Sequence, residues 1–180
     1  ILGLLWSFLN PVALALVLYL IFNQRLGSNI PHYGLYLMVG AVVLNFILTS
    51  SSALLQSLTL GYPFAVNTTV PREFLLLSQL FNFSFKFLFE IGVCLIVAFL
   101  LGLLQIGSLI LLVPLIFSLL LFCAGLGLLL AILHCFLRDT EHLWMLTSRL
   151  LFFVTPVFYD PASLSPLAQK GIYFLNPLTP

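Results

Sequence analysis

The chain has 180 residues, 62% of them hydrophobic and only 6% charged, with six Lys and Arg against five Asp and Glu. This excludes a soluble fold, because a domain of this size cannot hide so much Leu, Phe, Ile and Val behind so little polar surface. No charge falls between Arg25 and Arg72 or between Glu90 and Arg138, and at roughly 20 apolar residues per bilayer crossing each stretch has room for about two helices.

In chain order, the first expected helix covers about residues 4 to 22. No basic stretch precedes it, so Ala13-Leu14-Ala15 does not make it a secretory signal peptide. The second runs over about 33 to 57 and carries Asn45, Thr49-Ser50-Ser51-Ser52 and Gln56 inside it. Those hydroxyls and amides either hydrogen-bond to a neighbouring helix or line a wet channel. The segment that follows, about 58 to 79, is richer than a connector needs. It contains Gly61-Tyr62-Pro63 and then Asn67-Thr68-Thr69-Val70-Pro71-Arg72-Glu73. Thr69 can cap, Pro71 suits a first turn and Glu73 suits a helix N-terminus, which predicts a short helix on the membrane face.

The third span is expected at about 80 to 103. Lys86 and Glu90, four residues apart, share one of its faces and can pair. They either line a hydrophilic conduit, with Lys86 meeting an anion, or form a neutralised pair that snorkels to the interface near the helix start. Phe81, Phe83, Phe85, Phe87 and Phe89 alternate, a spacing that spreads them around a helix, so most should face lipid or neighbouring helices.

The short uncharged connection Gly102-Leu103-Leu104-Gln105-Ile106-Gly107-Ser108 predicts a tight hairpin into a fourth helix at about 107 to 137. That helix is longer than a span requires, so it tilts or projects, and Pro114 should bend it. Ala98 with Gly102, and Gly127 with Ala131, have the four-residue spacing that lets helices approach closely, within one subunit or across a dimer. Cys94 and Cys123 fall mid-span as small apolar groups and imply no disulfide.

Phe136-Leu137-Arg138-Asp139-Thr140-Glu141-His142-Leu143-Trp144 is a compact charged turn into a fifth helix at about 143 to 158. His134, Cys135, Asp139 and His142 lie close in sequence but lack a recognised ligand spacing and are interleaved with Arg138 and Glu141, so no metal site is expected. Phe152, Phe153, Phe158, Tyr159, Tyr173 and Phe174 gather beyond it, suiting an interfacial belt or the faces of sugar rings. The ending Asn176-Pro177-Leu178-Thr179-Pro180 breaks a helix with no crossing after it and reads as part of a longer sequence, which makes five spans a minimum. Arg72, Lys86, Arg138 and Arg149 flank the second and fourth connections, against Arg25 and Lys170 on the other side. That bias places the N-terminus and both elaborate connections in the cytoplasm.

Leu2-Gly3-Leu4-Leu5-Trp6 with Asn10-Pro11, Val70-Pro71-Arg72-Glu73, Arg138-Asp139 with Trp144, Thr155-Pro156-Val157 and Asn176-Pro177-Leu178-Thr179 occur in that order. Taken together they resemble the membrane subunits of type-2 ABC exporters that move O-antigen, capsular polysaccharide or teichoic acid. The resemblance implies an all-α integral membrane fold: a polytopic helical bundle in one domain over residues 1 to 180, with five transmembrane helices visible of an expected six. It implies a homodimer in the bacterial inner membrane, two cytoplasmic ATPase subunits that bind ATP and Mg, a lipid-linked glycan substrate, and outer gate helices at about 159 to 180. No nucleic-acid partner is expected.

No Gly-x-x-x-x-Gly-Lys-Ser/Thr loop occurs, so this chain should not hydrolyse ATP and no cofactor of its own is expected. Energy would then enter through docking segments at Pro71, Arg72, Glu73, Arg138 and Asp139. The alternative is that these are ordinary helix-end anchors. The resemblance also implies an aromatic exit near Phe152, Phe153, Phe158, Tyr159 and Tyr173. Two rival functions follow from the same residues. One is a drug or small-lipid exporter of the same superfamily. The other is a membrane enzyme acting on lipid-linked sugars through Glu90, Asp139 or His142.

Overall fold

A computed structural model describes Leu9, Val12, Ala13, Leu16, 33–60, Pro71, 73–103 and 106–155. The described residues form helices and turns without strands: α1 (Tyr33–Leu60), α2 (Glu73–Leu100), α3 (Ile106–Phe136) and α4 (Thr140–Val154). Of the helix expected at 4 to 22, Leu9, Val12, Ala13 and Leu16 are described and helical; the rest lies outside the described residues.

Three of these helices are long and apolar enough to cross a membrane: Tyr33–Thr59, Phe74–Leu100 and Leu109–Phe136. α4, the counterpart of the expected fifth span, has 15 residues to Val154, about 22 Å of helix against a hydrocarbon core of about 30 Å.

The chain divides into two compact units. One comprises Ile1–Leu44 with Leu146–Pro180. Its described part has Tyr33, Leu37, Ala41, Val42 and Leu44 buried on the first half of α1. Tyr33 stacks on Tyr36 at 6.4 Å, and Phe152 meets Phe153 edge-on at 5.3 Å.

The other unit, Asn45–Met145, holds the second half of α1, all of α2 and α3, and the turn into α4. Phe46 of α1 stacks on Phe87 of α2 at 4.4 Å. Phe46 lies 14 residues before Leu60 (60 − 46), and Phe87 lies 14 after Glu73 (87 − 73). The two rings are therefore equally deep on antiparallel neighbours.

α2 buries a single stripe, Phe87, Glu90, Ile91 and Cys94, at the three- and four-residue intervals of one helix face. Phe81, Phe85 and Phe89 are exposed, so of the alternating phenylalanines Phe87 is the one that enters the core. α3 likewise buries Cys123, Gly127, Leu130, Ala131 and His134. Its remaining surface is open: 6% of its apolar window is buried, against 56% for α1. α1 is thus the core helix and α3 a peripheral one.

Gly127 explains how α3 packs on α1. A Cβ there would meet the Leu54 side chain, with Leu54 Cβ only 2.7 Å away. The Gly127/Ala131 face therefore closes within one subunit. Ala98/Gly102 has a different use, because Gly102 has left the helix. Its φ is 70°, its N–H donates to Phe99 at 2.9 Å, and Leu103 N–H donates to Ala98 at 3.0 Å. This pair of bonds around a left-handed residue is the Schellman stop, which satisfies carbonyls that a helix end leaves open.

A Cβ on Gly102 meets nothing within 4 Å, so a substitution there is strained through the backbone alone. Gly102→Val is expected to lower stability by about 1–2 kcal/mol, with Gly102→Asn milder. Thermal unfolding of the detergent-solubilised protein reads both.

The hydroxyl run of α1 turns inward on its own backbone. Thr49 Oγ1 donates to Asn45 O at 2.6 Å, Ser51 Oγ to Ile47 O at 2.6 Å and Ser52 Oγ to Leu48 O at 2.7 Å. Ser50 and Ser51 are fully buried, and Ser50 Oγ donates to Ile47 O at 3.4 Å. Ser50 and Ser51 thus pack away from any open surface, while Thr49 stays exposed.

The largest departure from the sequence expectation is at the start of α2. A short membrane-face helix followed by a span from about residue 80 is one unbroken helix from Glu73. The physical reason is in the residues: between Glu73 and Glu90 there is no glycine or proline to stop propagation. Pro71 stands outside the helix, its carbonyl accepting from Phe74 N–H at 3.0 Å. Thr69 lies outside the described residues. Pro114 sits inside α3, where it removes the N–H that would bond Ile110.

Candidate functional site

The early start of α2 moves its charges. At 1.5 Å per residue, Lys86 is about 20 Å and Glu90 about 26 Å from Glu73 along a helix of about 42 Å. The helix midpoint falls between Lys86 and Phe87. Both charges therefore lie further along their helix than a span starting near residue 80 would have put them. Ionisable groups inside a membrane-crossing helix are expensive, by roughly 2.5–3.5 kcal/mol each at its centre on insertion scales.

The two differ in surroundings. Glu90 is 6% exposed, on the same stripe as Phe87 and Cys94. Lys86 is half-buried; its ammonium lies over the Phe83 ring, 5.1 Å from the centroid, and acts on Glu90 through space. Such a cation over an aromatic face is held without a carboxylate in contact. Chemically the pair offers a cation next to a flat apolar ring, with a buried acid one turn further in.

A second constellation sits at the end of the bundle where α1 and α3 finish and α2 begins. Gln56 Nε2 of α1 donates to Glu141 Oε1 in the first turn of α4 at 2.7 Å. Leu137 N–H donates to Leu133 O at 2.7 Å, closing α3. Asp139 occupies the N-cap position of α4, its carbonyl accepting from Leu143 N–H at 3.0 Å. Acidic residues at Asp139 and Glu141 suit the positive end of that helix. Thr140, buried, donates its hydroxyl back to Leu137 O at 2.6 Å. Arg138 and Asp139 are exposed on the tip, as is Pro71 at the entrance to α2.

The Gln56–Glu141 bond therefore ties the α3–α4 turn to the end of α1 that leads into residues 61–70. Arg72 lies outside the described residues, and Glu73 is the first residue of α2.

His134 is buried while Cys135, Asp139 and His142 are exposed, so the four do not converge. Among the described residues no group of three or more His, Cys, Asp and Glu could hold a metal ion. His134 Nδ1 and Trp144 Nε1 are buried polar atoms without a hydrogen-bond partner among the described residues, each a liability of about 1–3 kcal/mol.

Of the aromatics proposed for an exit, Phe152 is half-buried and Phe153 exposed. Phe158, Tyr159 and Tyr173 lie outside the described residues, as does Phe174. Sequence reasoning missed Gln56 and Glu141, which are 85 residues apart. Each carries an ordinary helix-end polar signal, and nothing local announces their pairing.

These features define a polytopic helical membrane protein with charges near the middle of a long apolar helix and a built polar turn at one end. The whole chain, residues 1–180, matches the ABC-2 type transporter family. It belongs to that family. Among curated proteins it is 29% identical over 178 residues to an O-antigen export system permease protein RfbA of Klebsiella pneumoniae. That alignment covers 98% of this chain and 68% of the relative. A protein of the same description from Myxococcus xanthus is 25% identical, with the same coverage.

Proposed function

We propose that this chain is the membrane subunit of an ATP-driven exporter of lipid-linked polysaccharide. It works as a homodimer with two separate cytoplasmic ATPase subunits in the bacterial inner membrane. The observation that carries the reading is the full-length family match together with relatives described as O-antigen export permeases.

In this reading the end of the bundle carrying Pro71, Arg72, Glu73, Arg138 and Asp139 faces the ATPase. The exposure of Pro71, Arg138 and Asp139 and the Gln56–Glu141 tie support it, since a loop that receives force must be both accessible and braced. Lys86 and Glu90 lie on the route of the glycan carrier, where the ammonium offers a contact for an anionic group and Phe83 an apolar face beside it. The enzyme alternative loses ground because its candidates do not meet: Glu90 is buried mid-span, whereas Asp139 and His142 are exposed at the turn.

The test is co-purification of the full-length protein with its ATPase and measurement of ATP hydrolysis. Charge reversal at Arg138 and Asp139 together, and at Arg72 and Glu73 together, should weaken the complex at least about tenfold, as the loss of a few rim and buried charge contacts would. A complex unchanged by both reversals places the docking surface elsewhere. A well-folded protein that binds no ATPase removes the exporter reading.

A further inference from the structure

An apolar cavity of about 400 Å³ lies between the first two turns of α2 and the middle of α3, lined by Leu54, Leu77, Leu80, Leu121, Gly125 and Leu128 among others. We propose that it is a seat for one acyl chain of a bilayer phospholipid, laid against Gly125 between α2 and α3. The cavity walls belong to the membrane-crossing segments Tyr33–Thr59, Phe74–Leu100 and Leu109–Phe136, so the medium at its mouth is hydrocarbon. Leu77, Leu121 and Leu128 on its rim are exposed, beside exposed Phe74 and Phe81 on one helix and Phe117 on the other, with Ser78 and Ser118 among them bonded back to their own helices. The cavity is thus continuous with the lipid-facing surface.

Gly125 makes the depth. It is exposed, and a Cβ built there meets nothing within 4 Å, in contrast to Gly127, where the Cβ position is filled by Leu54. Two glycines two residues apart therefore do opposite things: one admits a neighbouring helix, the other leaves a notch. Among the described residues no protein group fills that notch, and its apolar lining offers water no polar partners. A linear chain of methylenes touches wall on both sides there, where a chain on a convex helix touches one. The extra dispersion contacts hold it, since hydrocarbon already surrounds the protein and no hydrophobic driving force remains.

The experiment uses full-length protein in bilayers of phosphatidylethanolamine and phosphatidylglycerol doped with a phospholipid carrying a diazirine in one acyl chain. Peptides are mapped after irradiation. Labelling at Leu77, Leu80 and Leu121–Leu128 should exceed that at the more exposed Leu111, Val113 and Leu115 by about tenfold, equivalent to ~1.4 kcal/mol of preference. Gly125→Leu fills the notch with a better helix former, so it should keep the thermal stability and remove the excess label. Equal labelling of the two regions overturns the proposal, as does excess label that survives Gly125→Leu. An unlabelled cavity whose rim crosslinks to a second copy also overturns it.

Discussion

Leucine in place of Gly127 is expected to force α3 off α1 and leave little monodisperse protein. The first added carbon would already lie 2.7 Å from Leu54 Cβ, and a Cβ is backbone-anchored, so no rotamer change relieves the clash. Overpacking of this kind costs about 1–3 kcal/mol when only a methyl is added. Alanine should therefore be measurably destabilising, and leucine should exceed that range.

The diagnostic is coupling. Leu54→Ala alone opens a cavity and should cost about 2–5 kcal/mol. In combination with Gly127→Ala the two losses should cancel in part, because Leu54→Ala removes the Cγ and Cδ1 that the new methyl would meet, although the Cβ contact stays. Thermal unfolding followed by fluorescence size-exclusion reads all four species. Strictly additive losses, or a Gly127→Leu protein with wild-type stability, would show that the close approach of the two helices does not hold the bundle.

The second large effect separates stability from transport. Replacing Lys86 and Glu90 together by methionine removes two charges from the middle of α2 while keeping their approximate volume. Exchange of buried ionic groups for apolar ones is often neutral or stabilising by about 1–4 kcal/mol, so the double variant should fold at least as well as the parent. Surface display of the exported glycan, in cells whose own copy is deleted, should fall by more than tenfold, about 1.4 kcal/mol on the transport barrier. The single variant Lys86→Met leaves Glu90 without the neighbouring cation that acts on it and should be the less stable of the two. Display that persists in the double variant would make the pair a passenger of the fold.

The membrane class, the three long spans and the hairpin between α2 and α3 were legible because each rests on a local property. Apolar length, a glycine in a short uncharged connection and the absence of charge over long runs need no knowledge of neighbours. The start of α2 was misread for a reason equally local. The Thr69-to-Glu73 signals mark a helix beginning, but nothing in residues 74–80 marks an end. A separate surface helix therefore had no stop, and the error carried the charged pair to the wrong depth. The hydroxyl run of α1 left two readings open, because bonding to a neighbouring helix and channel lining call for the same residues; the hydroxyls instead bond carbonyls of their own helix, with Ser50 and Ser51 buried. The Leu54–Gly127 contact and the Gln56–Glu141 bond were beyond reach, since long-range pairing leaves no mark on spacing.

Continuity in α2 has a mechanical meaning. A helix with no glycine or proline between Glu73 and Glu90 has no joint over that distance. Its first turn and its two charges are points on one stiff lever about 26 Å long. Any tilt imposed where Pro71 hands over to α2 arrives at Lys86, about 20 Å away, as displacement and not as bending. The start of α2 and its charged pair thus belong to one rigid segment, so neither can move without the other.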